Sequence, residues 1–539
     1  MDPPKPPLLG NILETALINN ETFNDYAEVR RGWTWHPSYL PSFATLLLLS
    51  VLAGYLIAKT INRFRHLADY KGPSIAAYTR LWICQVIASG NSAQTFVDVN
   101  KKYGSIARIG PNHLLTDDPE LVRRILAARS HYTRGPWFDS IRVDPEITNI
   151  VSERDTGKHN HLRHQMSSGY GGKEIENLER DVTERIVEFI QWLDSKSVTH
   201  GSAQAPVDLA RPIQYLTVDI ITHLCFGKPL GFVRESRDLF SFLQTIQTQL
   251  PIVQHLSVIL ELNTLLRKLV KIPILKSWIT PSAKDKSGIG VIMGISRSVI
   301  DERYAPNAEL RNDMLGSFKK HGLTADDAET EISISLVAGS DTTATSMRAI
   351  LLMIISNPRV YKRLQKEIDD YASIGQLSDP VTDAEARRLP YLQACIKEGL
   401  RRYPPITQLR ERVSPAEGDT YRGRTIPAGT FVGINAWGLQ LNPIFGSDPE
   451  VFRPERWIEA DPEKLRAMSQ VQELVFGYGN TRCLGIPIAL MNLNKTMVEL
   501  LRRYDLALAD PTRPWKSLCY GIFFQKDFRV LVSHREVKA

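Results

Sequence analysis

The sequence predicts a mainly α-helical catalytic domain with a minor β part, set behind one apolar N-terminal segment. Three observations carry this: amphipathic helical patterns dominate, strand-like stretches are few and short, and one long uncharged run lies near the start. Apolar residues recur at three- and four-residue spacing in Pro119–Ala128, Glu174–Ser195, Ala325–Asn357, Pro358–Tyr371, Pro390–Arg402 and Ile486–Tyr504. Strand patterns are confined to Ser105–Ile109, Asn112–Thr116, Arg424–Ile426 and Thr430–Asn435. Leu250–Ile279 is unusually apolar, with Pro251 and Pro273 expected to break it. It reads either as ordinary core or as a lid that touches a bilayer and admits an apolar substrate.

Leu40–Ala58 contains no charged residue; about 20 apolar residues suffice for a helix to cross a bilayer. The alternative is a buried core helix. Some forty mixed residues precede the segment, which argues against a cleaved signal peptide. Lys59, Arg63, Arg65 and Lys71 follow it, whereas acidic residues offset the basic ones before it. The positive-inside bias therefore places the C-terminal part in the cytosol and the tail in the lumen. Asn20-Glu21-Thr22 is a glycosylation sequon reachable in that orientation, or a chance tripeptide. The expected organisation is a lumenal tail (1–39), a single anchor in the endoplasmic reticulum membrane (40–58), a basic Pro/Gly linker (59–73) and one catalytic domain (74–539).

With 43% hydrophobic and 23% charged residues among 539, the chain can bury a sizeable core. A net charge of +7 is modest for this length. No basic stripe with interleaved aromatics appears, so a nucleic-acid partner is not expected. The five cysteines stand singly, without a CxxC pair or a Cys/His cluster at zinc spacing, which excludes a disulfide framework or zinc finger as the organising principle.

One cysteine has a special setting. Phe476-Gly477-Tyr478-Gly479-Asn480-Thr481-Arg482-Cys483-Leu484-Gly485 is a glycine-rich loop that ends in a cysteine and opens onto a helix. Such a loop can aim backbone N–H groups and a helix N-terminus at a thiolate, stabilising its charge and tuning a bound metal. FxxGxxxCxG, met by Phe476, Gly479, Cys483 and Gly485, resembles the haem-binding loop of the cytochrome P450 family. The resemblance covers roughly Lys71 to the C-terminus and includes three further motifs, the last only partial. It implies that Cys483 is the axial ligand of haem b.

Ala338-Gly339-Ser340-Asp341-Thr342-Thr343 is similar to the family's distal motif. The resemblance implies that Thr342 hydrogen-bonds the iron-bound oxygen and that Asp341 relays protons, with Gly339 letting the helix open locally. Glu398 and Arg401 share a helix face, and with Arg456 of Phe452–Trp457 they resemble the family's Glu-Arg-Arg triad, a structural lock. His159 and Arg163 stand where the family often has Trp-x-x-x-Arg; both are candidate donors to a haem propionate, as is Arg412. Where many members place Arg or His two residues before the cysteine, this chain has Thr481. Arg482, next to the cysteine, is therefore either a haem contact or a residue facing a redox partner.

The implied activity is insertion of one atom of O2 into a C–H or C=C bond of a hydrophobic small molecule. NADPH would supply the electrons through a separate membrane-bound NADPH–cytochrome P450 reductase, since the chain has no Gly-x-Gly-x-x-Gly fingerprint of its own. Lys158, Arg482 and Lys495 are candidate docking residues for that reductase. Stretches such as Arg311–Phe318 resemble fungal members that tailor secondary metabolites, with terpenoid-type scaffolds expected first. Substrate contacts are expected in Pro136–Ile150, Leu250–Ile279, Ser333–Val337, Ile406–Leu409 and Ile522–Phe524. The alternatives are desaturation, rearrangement or multistep oxidation at the same haem, and a membrane haem-binding protein without turnover.

Overall fold

The computed structural model describes residues 66–536 except 143, 145, 198–204, 280–281, 284 and 286–288, together with helical positions 47, 48, 50, 51 and 54. Asn20, the tail 1–39 and most of the apolar segment lie outside the described residues. No helix among the described residues is long and apolar enough to cross a membrane. The chain divides into two units, Met1–Ile61 and Asn62–Ala539.

The second unit is mainly helical with small sheets. The largest sheet comprises β1 (Ile106–Gly110), β2 (His113–Thr116), β3 (Thr133–Arg134), β4 (Arg412–Val413) and β5 (Phe431–Ile434), in the order β1-β2-β5-β4-β3. β2 and β5 run parallel and the other pairs are antiparallel. The β3–β4 register sets Arg134 directly opposite Arg412.

Five helices build the site: α1 (Thr156–Tyr170), α2 (Ala210–Phe226), α3 (Ala325–Ile355), α4 (Pro390–Arg402) and α5 (Ile486–Arg503). Their ends follow local chemistry. Asp155 caps α1 by accepting from the Lys158 N–H, and Thr324 caps α3 by accepting from that of Asp327. Pro390 opens α4, where its missing N–H costs nothing, and Pro404-Pro405 follow its end. α3 is buried along most of its length and packs along α2, within one large apolar cluster that α4 and α5 share.

Pro251 does not break the chain as expected. It lies inside the helix Phe242–Val258, whereas Pro273 opens the short helix Pro273–Ile279. The strand pairs formed by Lys516–Cys519 with Phe523–Lys526 and by Tyr504–Leu508 with Arg529–His534 were not foreseen, although the second pair alternates in burial.

Candidate active site

The Cys483 loop is shaped by two left-handed glycines. Gly477 has φ +80° and Gly479 φ +58°. A Cβ on Gly479 would lie 2.3 Å from the Leu126 carbonyl oxygen, so this close approach admits no side chain. Gly485 has an ordinary negative φ and stands at the N-cap of α5. The Cys483 N–H closes the loop by donating to the Phe476 carbonyl at 2.8 Å. Burial pushes the Cys483 thiol up, while the N–H groups of Gly485 and Ile486 and the charges of Arg163 and Arg410 pull it down. Cys483 is exposed and lines a cavity of about 290 Å³. Phe476 lines the same space.

Across that cavity α3 contributes Ala338, Gly339 and Thr342. α3 runs without a break here: the Thr342 hydroxyl donates to the Ala338 carbonyl at 2.9 Å, and Gly339 packs closely on Ile221 of α2. The expected local opening is therefore absent, and the glycine serves helix packing. Asp341 points elsewhere. Its Oδ1 accepts from Gln214 Nε2 on α2 at 2.6 Å, and it does not line the cavity. Its Oδ2 is buried with no partner among the described residues. Burial raises the carboxyl to about 6 against the pull of Arg348 and Gln214. Adjacent helix residues do not face each other, so the alcohol fronts the cavity while the acid sits behind it.

One wall is cationic. Arg134, Arg163, Arg410, Arg412 and His159 all line the cavity, and none of these arginines forms an ion pair among the described residues. Like charges directly opposite in a sheet repel, yet Arg134 and Arg412 are cross-strand partners that share the Phe138 ring, at 4.9 and 4.8 Å. Arg134 also donates to the carbonyls of Ile150, Val151 and Glu153. Burial and the neighbouring arginines lower His159 to about 4, so its neutral ring accepts from Arg134, with Nε2 2.9 Å from Nη2. Arg163 donates to the carbonyl of Arg482 at 2.6 Å. The Arg482 side chain turns outward toward Glu473.

Glu398, Arg401 and Arg456 meet in a fully buried network on the α4 side. Arg401 clamps both Glu398 oxygens at 2.8 and 2.9 Å, and Arg456 Nε donates to Oε1 at 2.9 Å. Trp457 Nε1 and the Arg453 N–H complete the set. Burial alone would raise Glu398, but the Arg401 hydrogen bond and the two guanidinium charges hold it below the ordinary glutamate range.

The sequence profile described as Cytochrome P450 matches residues 73–530. The chain belongs to the cytochrome P450 family. This P450 is 39% identical over 497 residues to cytochrome P450 monooxygenase ABA1 of Pyricularia oryzae, covering 90% of this chain and 96% of the relative. It is 35% identical over 501 residues to aba1 of Botryotinia fuckeliana, covering 92% and 98%. It is 27% identical over 495 residues to the pisatin demethylase of Fusarium vanettenii, covering 88% and 90%. By family and by these relatives it is a cytochrome P450 monooxygenase, an enzyme whose family implies a haem and electrons supplied by a redox partner.

The P450's own residues fit such a group. A thiol fronts a cavity lined by four arginines that form no ion pair among the described residues and only one of which, Arg134, feels a protein carboxylate, Glu153; that lining suits a dianionic macrocycle. Several expectations need correcting. Lys495 is buried, held by Glu179 and the Val381 carbonyl, so it is not available to a partner. Lys158 and Arg482 are exposed. Among the described residues, none of 250–276 and none of Ile522–Phe524 lines the cavity, whereas Thr217, Ile220 and Ile221 of α2 do. Arg134, Arg410 and Gln214 were missed. Arg410 stands two residues before Arg412 but outside β4 and in a left-handed conformation, so strand alternation does not place it, and nothing local marks the other two.

Proposed function

We propose that this P450 is a membrane-bound haem-thiolate monooxygenase in which Cys483 ligates the iron of haem b. The observation that carries the reading is that Cys483 and Thr342, from separate elements, line one and the same cavity. The balanced reaction is substrate C–H plus O2, NADPH and a proton, giving the alcohol, water and NADP⁺; a C=C substrate gives the epoxide. NADPH–cytochrome P450 reductase is the proposed electron donor, and a hydrophobic, terpenoid-type compound of fungal secondary metabolism the proposed substrate. The haem, when bound, supplies O2 activation and oxygen transfer. The protein's part is to hold the thiolate with backbone N–H groups, anchor the propionates through Arg134, Arg163 and Arg412, and exclude water with apolar walls. His159 supports Arg134 in that task.

Thr342 Oγ1 carries a proton at the cavity face, and Asp341 takes one up transiently behind it. A carboxyl near 6 is mostly ionised at neutral pH yet close enough to recharge. Since Asp341 faces Gln214, delivery requires its side chain to turn, or a water to bridge from Oδ2. Thr342→Ala should lower product formed per NADPH by roughly tenfold or more, with NADPH consumption continuing and hydrogen peroxide accumulating. Product yield equal to wild type would overturn the proton-relay role.

Membrane residence is proposed on the apolar segment and on a second feature of the folded unit. Ile75, Tyr78 and Leu81 are exposed, and the helix Leu81–Ala88 packs on Phe242–Val258, which exposes Ile252. Leu265 and Ile274 are exposed in the next two helices along the chain. Exposed apolar groups on adjoining elements suit a lipid surface. A lumenal N-terminus predicts that endoglycosidase shifts the mobility of the full chain made in microsomes, and not that of Asn20→Gln. Cleavage of the intact tail by protease added outside sealed microsomes would reverse the orientation.

A further inference from the structure

The cationic wall carries more charge than the cofactor neutralises. In a ferric haem-thiolate the iron, porphyrin ring and thiolate charges cancel, leaving the two propionates as net anions. Against them stand Arg134, Arg163, Arg410 and Arg412. Glu153 is the acid whose charge reaches Arg134, and it offsets one guanidinium. One positive charge remains inside a desolvated space, where an unpaired ion is costly.

Arg410 is the arginine left over. Arg134 and Arg412 form the stacked pair on Phe138, and Arg163 is tied to the Arg482 carbonyl. The Arg410 guanidinium forms no ion pair among the described residues, and its Nε is buried without a partner there. Its backbone has φ +43°, a left-handed conformation that a non-glycine residue keeps only where the surroundings impose it, often at ligand sites. Glu411 does not serve as its counter-ion. Burial raises that carboxyl to about 8, the charge that reaches it is that of Arg80, and its nearest basic neighbour is the His113 ring at 3.7 Å. Among the other polar groups of the lining, Thr342, Thr217 and the Tyr170–Ser335 pair are engaged with backbone or each other, and Asn492 Oδ1, buried without a partner among the described residues, is an acceptor that cannot receive a carboxylate.

We propose that Arg410 receives a carboxylate carried by the substrate, so that this P450 oxidises an apolar monocarboxylic acid rather than a neutral compound. The proposal deepens the monooxygenase reading and rests on it. A guanidinium fork matches a carboxylate with two parallel N–H···O bonds, and the apolar walls accept the remainder of such a molecule. Anchoring one end fixes which carbon faces the Thr342 side, which is what regioselective oxidation needs.

The test uses the full-length, haem-loaded protein. Binding of farnesoic, dodecanoic and abietic acids is measured by titration calorimetry against the methyl ester of each, for wild type, Arg410→Gln and Arg410→Lys. Wild type is expected to bind at least one acid about tenfold more tightly than its ester. Arg410→Gln should bring that ratio to about one while retaining haem, and Arg410→Lys should recover part of it. No preference for any acid in wild type overturns the proposal. So does a ratio unchanged in Arg410→Gln, including the case where that variant sheds haem, which would make Arg410 a propionate ligand instead. The carbon monoxide spectrum of the same wild-type sample reports the thiolate-haem separately, so its failure is distinguishable from failure of the acid–ester ratio.

Discussion

Cys483→Ala is expected to abolish the far-red Soret band of the dithionite-reduced, carbon monoxide-treated protein, and all NADPH-dependent product with it. Thiolate ligation depends on one sulfur, and no second cysteine lines the cavity: Cys225, Cys395 and Cys519 are buried elsewhere in the fold. The Gly485 and Ile486 N–H groups would then point at a methyl group. The apo fold should persist, because the loop is held by the Cys483 backbone N–H to Phe476 and by the Gly479 contact with the Leu126 turn, neither of which needs the sulfur. Far-ultraviolet circular dichroism therefore checks that the variant is folded. A far-red band of wild-type intensity in Cys483→Ala would remove the cysteine from the iron.

Glu398→Ala carries the largest expected loss of stability. The substitution leaves two buried guanidiniums, Arg401 and Arg456, without their shared carboxylate. Removing one partner of a buried ion pair costs about 3–5 kcal/mol, and here Trp457 Nε1 and the Arg453 N–H lose their acceptor as well. The variant should unfold at a lower denaturant midpoint and release haem earlier. Glu398→Gln keeps an acceptor and should fall between. The sign of the pH effect comes from the depressed Glu398 value. The contribution is present above the ordinary glutamate value near 4.5 and is lost as pH falls through the lower folded value. The stability gap between wild type and Glu398→Gln should thus narrow in acid. A gap independent of pH would mean that geometry, and not charge, sets the network's worth.

Much of the site was legible because its signals are local. The Cys483 loop is read from glycines whose conformations the backbone demands within ten residues. Glu398 and Arg401 meet because three residues on a helix bring side chains to one face. Thr342 reached the cavity as its motif implied, since a single helix face sets its direction. Arg456 was harder, standing 55 residues after Arg401, and only the family pattern joined them. Family membership covers residues 73–530 and relatives match nearly the whole chain, so the monooxygenase class too was readable from sequence.

What the tertiary structure decided are relations between elements. Sequence adjacency suggested that Asp341 and Thr342 act side by side; packing of α3 on α2 turned the acid toward Gln214 instead. Nothing in the composition marks Lys495 as buried, because its partner Glu179 lies more than 300 residues away. Arg134 joined the site through the register of two two-residue strands, too short to show any periodicity. The charge left over at Arg410 exists only as a sum over four segments. Periodicity, glycine geometry and helix-face spacing act within a few residues, so the sequence carries them openly. Burial, counter-ion balance and the direction a side chain finally takes depend on which distant segments fold against it, and only the assembled fold states those.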